Sequence, residues 1–277
     1  HKKKKKKKKK ICVLCKEKRG DLCPNMMEFG HGKGTSQGGC CEYFVVKELY
    51  CYRLRTNISW NEAALLAPLG VAHNAIEQLG QSPELLVTGC GTIGLFVVSV
   101  AKNFGFRRVI AADVLSWRLE IAKKMGADVT IDCKEQDLKS IVMKLTDGNG
   151  IEALIECSGT SEYINVAFGL LRKGGRIFCE KEEVQRGKNQ KQKKKGGFFF
   201  FFCAFDGKDV ISKSLQLLTA HSRRIFDTWK EAEKLVAKGK VQTSLLLSHC
   251  LPLKEWRKGF EALSTGATCK VLFDPSL

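Results

Sequence analysis

The residues with the clearest chemical potential are Gly89-Cys90-Gly91-Thr92-Ile93-Gly94. They follow the apolar run Glu84-Leu85-Leu86-Val87 and open an apolar helical pattern. Nineteen residues after Gly94, a second apolar run, Arg108 to Ala112, ends at Asp113. A strand, a glycine turn, a helix start and an acid at the next strand end make a dinucleotide fingerprint. Gly89 permits the sharp turn, Gly91 lets the backbone approach a pyrophosphate, and Gly94 lets the helix pack closely on the strand. The N–H groups at the helix start, through Thr92, Ile93 and Gly94, then face the phosphates with the helix dipole behind them. Asp113 is placed to accept hydrogen bonds from the adenosine ribose. The alternative reading is an α/β turn that meets no nucleotide.

The elements that must hold this turn are legible from periodicity. Strands are expected at Leu85–Thr88, Arg108–Asp113, Val129–Asp132, Ala153–Cys157 and Arg176–Cys179. Helices alternate with them at Thr92–Phe104, Ser116–Met125 (capped by Ser116 and closed by Gly126), Glu135–Thr146 and Ser161–Leu171. Strictly alternating strands and helices mean a parallel sheet with helices on both faces. Before the turn, residues 11–66 read as irregular, β-rich chain with strand-like Tyr43-Phe44-Val45-Val46, and Asn61 to Glu77 reads as helix. After the sheet come a helix at Asp227–Ala237, a strand-like run at Leu245–Ser248, a helix at Lys254–Leu263 and a last strand at Lys270–Phe273.

Composition limits the function classes. The chain has 277 residues and is 44% hydrophobic, enough for a substantial core. It has no apolar run long enough for a membrane span and no visible signal peptide. It opens on His1, so the natural N-terminus is expected upstream. The net charge of +18 comes mostly from Lys2–Lys10 and the six cations between Arg186 and Lys195, and without these tracts it is +3. The charge is not interleaved with aromatic residues, so no specific nucleic-acid partner is expected, only salt-dependent attraction to polyanions. Thirteen cysteines in a chain without an export signal imply free thiols and a cytoplasmic, reducing setting. Residues 181–205 break the pattern with a basic stretch and five phenylalanines, Phe198–Phe202. This segment reads as a sticky strand beside a basic loop. Lysine and phenylalanine are each encoded by a run of one nucleotide, so both tracts also fit decayed homopolymer runs. Finding them intact in independently sequenced copies of the locus would exclude that origin.

Over roughly residues 11–180 and 206–277 the chain resembles the zinc-containing medium-chain dehydrogenases, the alcohol, polyol and threonine dehydrogenase family. The resemblance rests on Cys12-x-x-Cys15 with Cys23-Pro24, Gly39-Cys40-Cys41-Glu42-Tyr43 and Ala63-Ala64-Leu65-Leu66-Ala67-Pro68-Leu69-Gly70. It continues in the fingerprint, Asp113-x4-Arg118, Glu156-Cys157-Ser158-Gly159 and Leu251-Pro252-Leu253 through Glu261. Arg224-Ile225-Phe226-Asp227-Thr228-Trp229 is most similar to the threonine dehydrogenase branch. The resemblance implies an α/β fold: a doubly wound parallel Rossmann sheet plus an incomplete β-rich GroES-like catalytic domain. The expected division is a lysine tract at 1–10, a partial catalytic domain with a zinc lobe at 11–66, a NAD-binding domain at 67–244, and a return into the catalytic domain at 245–277.

It also implies hydride transfer from a secondary alcohol, L-threonine or a polyol, to NAD. Arg118 would lie near the adenosine, and Cys157 and Ser158 would face the coenzyme. Cys12, Cys15 and Cys23 would be three of four structural zinc ligands, the fourth position being Lys9; three free thiols are the alternative. The family's catalytic zinc ligands would precede His1, and its glutamate near that metal is replaced by Ala67. Neither His31 nor His73 fits a ligand position, and Asn74 stands where the family has a histidine. The same fingerprint without turnover, a NAD-binding remnant, is the alternative function. Dimers or tetramers are common in the family.

Overall fold

A computed structural model describes residues 12–17, 19–24, 38–179, 207–220 and 226–277. The Lys2–Lys10 tract, Lys9, His31, Phe198–Phe202, Arg224 and Ile225 lie outside them. The elements before the sheet are short helix α1 (Val13–Lys16), α2 (Trp60–Ala64) and α3 (Leu66–Leu79). Strands and helices then alternate: β1 (Glu84–Thr88), α4 (Thr92–Asn103), β2 (Arg108–Asp113), α5 (Ser116–Lys124) and β3 (Val129–Asp132). They continue as α6 (Leu138–Leu145), β4 (Ile151–Glu156), α7 (Ser161–Leu170), β5 (Leu171–Cys179), α8 (Gly207–Ser212) and β6 (Gln216–Thr219). The chain ends with α9 (Asp227–Ala237), β7 (Leu247–Pro252), α10 (Trp256–Ser264) and β8 (Lys270–Asp274).

Strands β1 to β6 form one parallel sheet in the order β3-β2-β1-β4-β5-β6. This is the dinucleotide-binding order, with its switch point between β1 and β4. Successive residues of each strand feed opposite cores. Leu85, Val87, Val109 and Ala111 face α3, α4, α5 and α9, whereas Leu86, Ile110, Ala112 and Leu154 face α6 and α7. Burial on both faces explains why these strands read as continuous apolar runs. Strands β7 and β8 form a separate parallel pair under α10. There Gly259 lies so close to Phe273 and Val271 that an added Cβ would meet the Phe273 ring at 2.6 Å. Among the described residues no helix is long and apolar enough to cross a membrane.

Several expectations are corrected. Ser116 is the first residue of α5 rather than its cap, and its hydroxyl donates to Asp132 at 2.7 Å. Helix α6 starts at Leu138, not Glu135, because Asp137 caps it by accepting from the Ser140 N–H. Leu245 closes a 3-10 turn, and the strand begins at Leu247. Tyr43–Val46 forms no strand. Tyr43 and Val45 are 89% and 87% exposed. The sheet's next described strand after β5 is Gln216–Thr219, a run the periodicity reading passed over.

Candidate functional site

The glycine turn leaves β1 at the switch point. Gly89 donates its N–H to the Ala112 carbonyl at 2.8 Å and has φ +86°, a conformation that favours glycine. A Cβ there would lie 2.6 Å from the Ser158 nitrogen. A Cβ on Gly94 would fall 1.9 Å from the Gly89 carbonyl oxygen, so the first turn of α4 is pressed against the strand end. Gly91 differs: a Cβ built on it meets nothing within 4 Å. The turn is therefore closed behind Gly89 and Gly94 and open in front of Gly91, a concave backbone cradle at a helix N-terminus. Such a cradle suits an anion, with the N–H groups of Thr92, Ile93 and Gly94 in the first turn. The Thr92 hydroxyl donates to the Cys269 carbonyl at 2.8 Å, tying this turn to the residue before β8.

Asp113 ends β2 and is 7% exposed. One carboxylate oxygen accepts the Cys90 N–H at 2.6 Å, and the other accepts the Leu115 N–H at 2.8 Å. The acid is thus clamped to the glycine turn. Each oxygen keeps further acceptor capacity, as a ribose diol would require. Arg118 approaches it at 3.9 Å and lies over the Trp117 ring at 5.2 Å. The Cys90 thiol is buried in the same turn. Its pKa is driven up by desolvation, with the Asp113 charge adding to the effect, so it stays a neutral packing group.

Opposite the turn, β4 ends in Glu156 and runs into Cys157 and Ser158. The Cys157 N–H donates to the Thr88 carbonyl at 2.8 Å, which locks this loop to β1. Cys157 is buried, and its Cβ lies 3.5 Å from the Cβ built on Gly94. The fingerprint, Asp113 and the Cys157-Ser158 loop therefore meet at the carboxyl ends of the central strands β2, β1 and β4. These are the residues that could hold a dinucleotide.

A second cluster joins Cys12, Cys15 and Cys23, whose sulfurs all lie within 4.8 Å of one another. Cys12 and Cys23 sulfurs are 3.7 Å apart. Tetrahedral zinc with Zn–S bonds of about 2.3 Å requires S···S edges of about 3.8 Å, so this pair already has the spacing of a zinc thiolate site. The Cys15 N–H donates to the Cys12 sulfur at 3.4 Å, and this bond leads the causes that lower the Cys12 pKa. Cys15 is pushed up to about 12, chiefly by its hydrogen bond to Cys12 and then by that to Cys23. Zinc binding would displace the protons that these thiols carry. The three sulfurs fit zinc, and among the described residues no fourth ligand joins them. Cys15→Ser is expected to weaken zinc binding by at least about tenfold. Competition with a chromogenic chelator measures this, and an unchanged affinity would remove the site.

The remaining sequence candidates fall elsewhere. His73 is buried in α3, its ring edge-on to Phe104 at 5.2 Å and its Nδ1 3.5 Å from Glu77. Its ring packs within the core. Ala67 and Asn74 lie on the same helix. Phe226 and Trp229, from the motif similar to the threonine dehydrogenase branch, pack on Tyr52, with ring centroids 6.0 and 5.7 Å away. Sequence reasoning missed the tie beneath them. Buried Glu233 accepts from the Tyr52 hydroxyl, the N–H groups of Arg55 and Thr56, and the Thr56 hydroxyl, at 2.6 to 2.8 Å. An acid on a helical face carries no signal of such a role.

The family model described as zinc-binding dehydrogenase matches residues 92–238. D-arabitol-phosphate dehydrogenase of Enterococcus avium is 29% identical over 268 residues, 95% of this chain and 70% of that protein. L-threonine 3-dehydrogenase of Vibrio cholerae is 29% identical over 265 residues, 95% of this chain and 71% of that protein. Among solved structures, L-idonate 5-dehydrogenase of Escherichia coli superposes with TM-score 0.79 at 23% identity, over 94% of this chain and 70% of that one. With a family model covering more than half its length, this chain belongs to the zinc-binding dehydrogenase family.

Proposed function

We propose that this chain is the NAD-binding part of a zinc-type dehydrogenase that oxidises a secondary alcohol, L-threonine or a polyol, by hydride transfer to NAD. The observation that carries the reading is the glycine cradle at the switch point, open at Gly91 and clamped to Asp113. The threonine and arabitol-phosphate dehydrogenases similar to it support the substrate class. Bound NAD would supply the hydride acceptor. The chain's own residues bind and orient it. The first turn of α4 would hold the pyrophosphate and Asp113 the adenosine ribose, and the loop at Cys157-Ser158 would face the coenzyme. The buried Asp113 carboxylate suits a 2′-hydroxyl and repels a 2′-phosphate, so NAD is preferred over NADP. Cys12, Cys15 and Cys23 would hold a structural zinc.

A second reading, NAD binding without turnover, is favoured by Ala67, which offers no donor atom where the family has a glutamate. For these 277 residues the expected result is a fluorescence change on NADH titration, weaker with NADPH, and no NAD reduction when L-threonine or a polyol is added with zinc. Zinc-dependent NADH production would establish the first reading in full. No NADH binding at millimolar concentration would exclude both.

A further inference from the structure

We propose that Lys270 is a nucleophilic amine that captures small aldehydes and ketones as a reversible imine, in a cavity beside β8. The proposal does not rest on the dinucleotide reading, because no residue of the glycine cradle lines that cavity. Along β8, Val271 and Phe273 pack under α10 against Gly259. Alternation along the strand turns Lys270 and Leu272 to the other face. There a cavity of about 240 Å³ is bounded by Lys270, Leu272, Leu253, Ala64 and the Cys40-Cys41 segment. Among the described residues, the Cys40 and Cys41 thiols are the only other titratable groups that line it.

The amine stands in unusual company for a lysine. It is half-buried, and burial is the one cause acting on its pKa, which falls below the ordinary 10.5. No charged group among the described residues opposes that fall. Lys213 shows the ordinary arrangement. It is also half-buried, but its ammonium donates to the Phe168, Gly169 and Leu171 carbonyls at 2.9 to 3.0 Å. An ammonium stripped of water without a counter-charge is disfavoured against the neutral amine. The neutral amine carries the lone pair that adds to a carbonyl carbon. Both amine hydrogens then leave with the carbonyl oxygen as water, and a C=N bond replaces the C=O bond. No oxidant, reductant or leaving group is required. A carbonyl compound therefore suits a cavity whose walls offer apolar surface and two thiols but no charged group to stabilise a departing anion.

The test is selective labelling of the full chain at pH 7 with benzaldehyde and sodium cyanoborohydride. The reagent reduces imines to stable amines and leaves any thiol adducts of Cys40 and Cys41 untrapped. Peptide mapping by mass spectrometry then reads each lysine separately. Expected is labelling of Lys270 at least about tenfold faster than of exposed Lys123 and Lys258. In denaturing urea the three rates become equal, because the cavity is gone. Lys270→Arg keeps a cation but has no primary amine, and the fast phase disappears while Lys123 and Lys258 label as before. The urea comparison needs only the wild type, so it stands even if that variant does not fold. Labelling of Lys270 no faster than of Lys123 and Lys258 overturns the proposal. A fast rate that persists in urea overturns it too, since the local sequence and not the cavity would then cause it.

Discussion

Gly91→Ala weakens NADH binding about tenfold to 100-fold with the thermal midpoint unchanged, whereas Gly94→Ala loses both binding and stability. The two glycines are three residues apart in one motif, and sequence treats them alike. Their surroundings do not. Gly91 has φ −73° and ψ −170°, a conformation open to any residue, and the space before it is empty to 4 Å. A methyl group there costs the folded chain nothing and occupies the volume a pyrophosphate needs. Gly94 faces the Gly89 carbonyl, and a methyl group would sit 1.9 Å from that oxygen. Backbone atoms held by β1 cannot swing aside as a flexible side chain can. The first turn of α4 must lift from the strand, at a cost of about 3 kcal/mol or more, which outweighs the helix preference of alanine over glycine of about 1 kcal/mol. Thermal unfolding and NADH fluorescence titration read the two effects separately. Wild-type NADH affinity in Gly91→Ala would mean that no phosphate passes over this turn, and the cradle would lose its assignment.

The contrast shows what kind of information the sequence held. The sheet was legible because its central strands β1, β2 and β4 are buried on both faces and each is followed by a helix of 3.6 periodicity. Val109, Ile110 and Ala111 have no choice but the interior. The fingerprint was legible because glycine spacing encodes backbone geometry directly. What stayed hidden depends on partners far away in sequence. Tyr43–Val46 has the composition of a strand, yet neither described sheet includes it, and Tyr43 and Val45 stand exposed. Ser116 sits at a helix start, yet Asp132, sixteen residues on, takes its hydroxyl instead of the backbone. Leu217 and Leu218 of edge strand β6 are only partly covered, so their run carries little periodicity. At the site, Asp113 was found by spacing, whereas Glu156 was seen only as part of a string. Its buried carboxylate takes donors from Ser158 and Gly159, in a loop whose course no periodicity gives.

Glu233 is the extreme case of a long-range partner, and its removal is expected to lower the thermal midpoint on the order of 10 °C. Four hydrogen bonds converge on this one carboxylate, all from residues 52–56. They fasten the segment before α2 to α9, and the aromatic stack of Tyr52 with Phe226 and Trp229 closes over them. Phe226 itself holds φ +69°, a strained conformation for a phenylalanine. Such a backbone persists only where its surroundings over-determine it. Glu233→Ala takes the shared acceptor from four donors, at a cost of about 3 kcal/mol.

The sign of the pH dependence follows from the same geometry. Burial pushes the Glu233 carboxyl up, but the bonds from Tyr52, Thr56 and the Arg55 and Thr56 backbones outweigh it, and its pKa falls below the ordinary 4.5. Tyr52, in turn, is raised to about 12, first by burial and then by its bond to Glu233, so it stays a neutral donor at physiological pH. A carboxyl lowered on folding contributes stability that is fully present above its unfolded pKa. That contribution is lost as pH falls through the folded value. Stability of the wild type therefore declines below about pH 4.5, and Glu233→Gln, which cannot titrate, removes part of that decline. Asp132, Asp137, Glu152 and Asp274 are also lowered, but they titrate identically in both proteins. The difference between the two acid limbs, measured by denaturant unfolding from pH 7 to pH 3, isolates Glu233. Parallel curves would mean that the carboxylate is not the group holding residues 52–56. Convergence of the curves at low pH identifies it as the tie between the two segments.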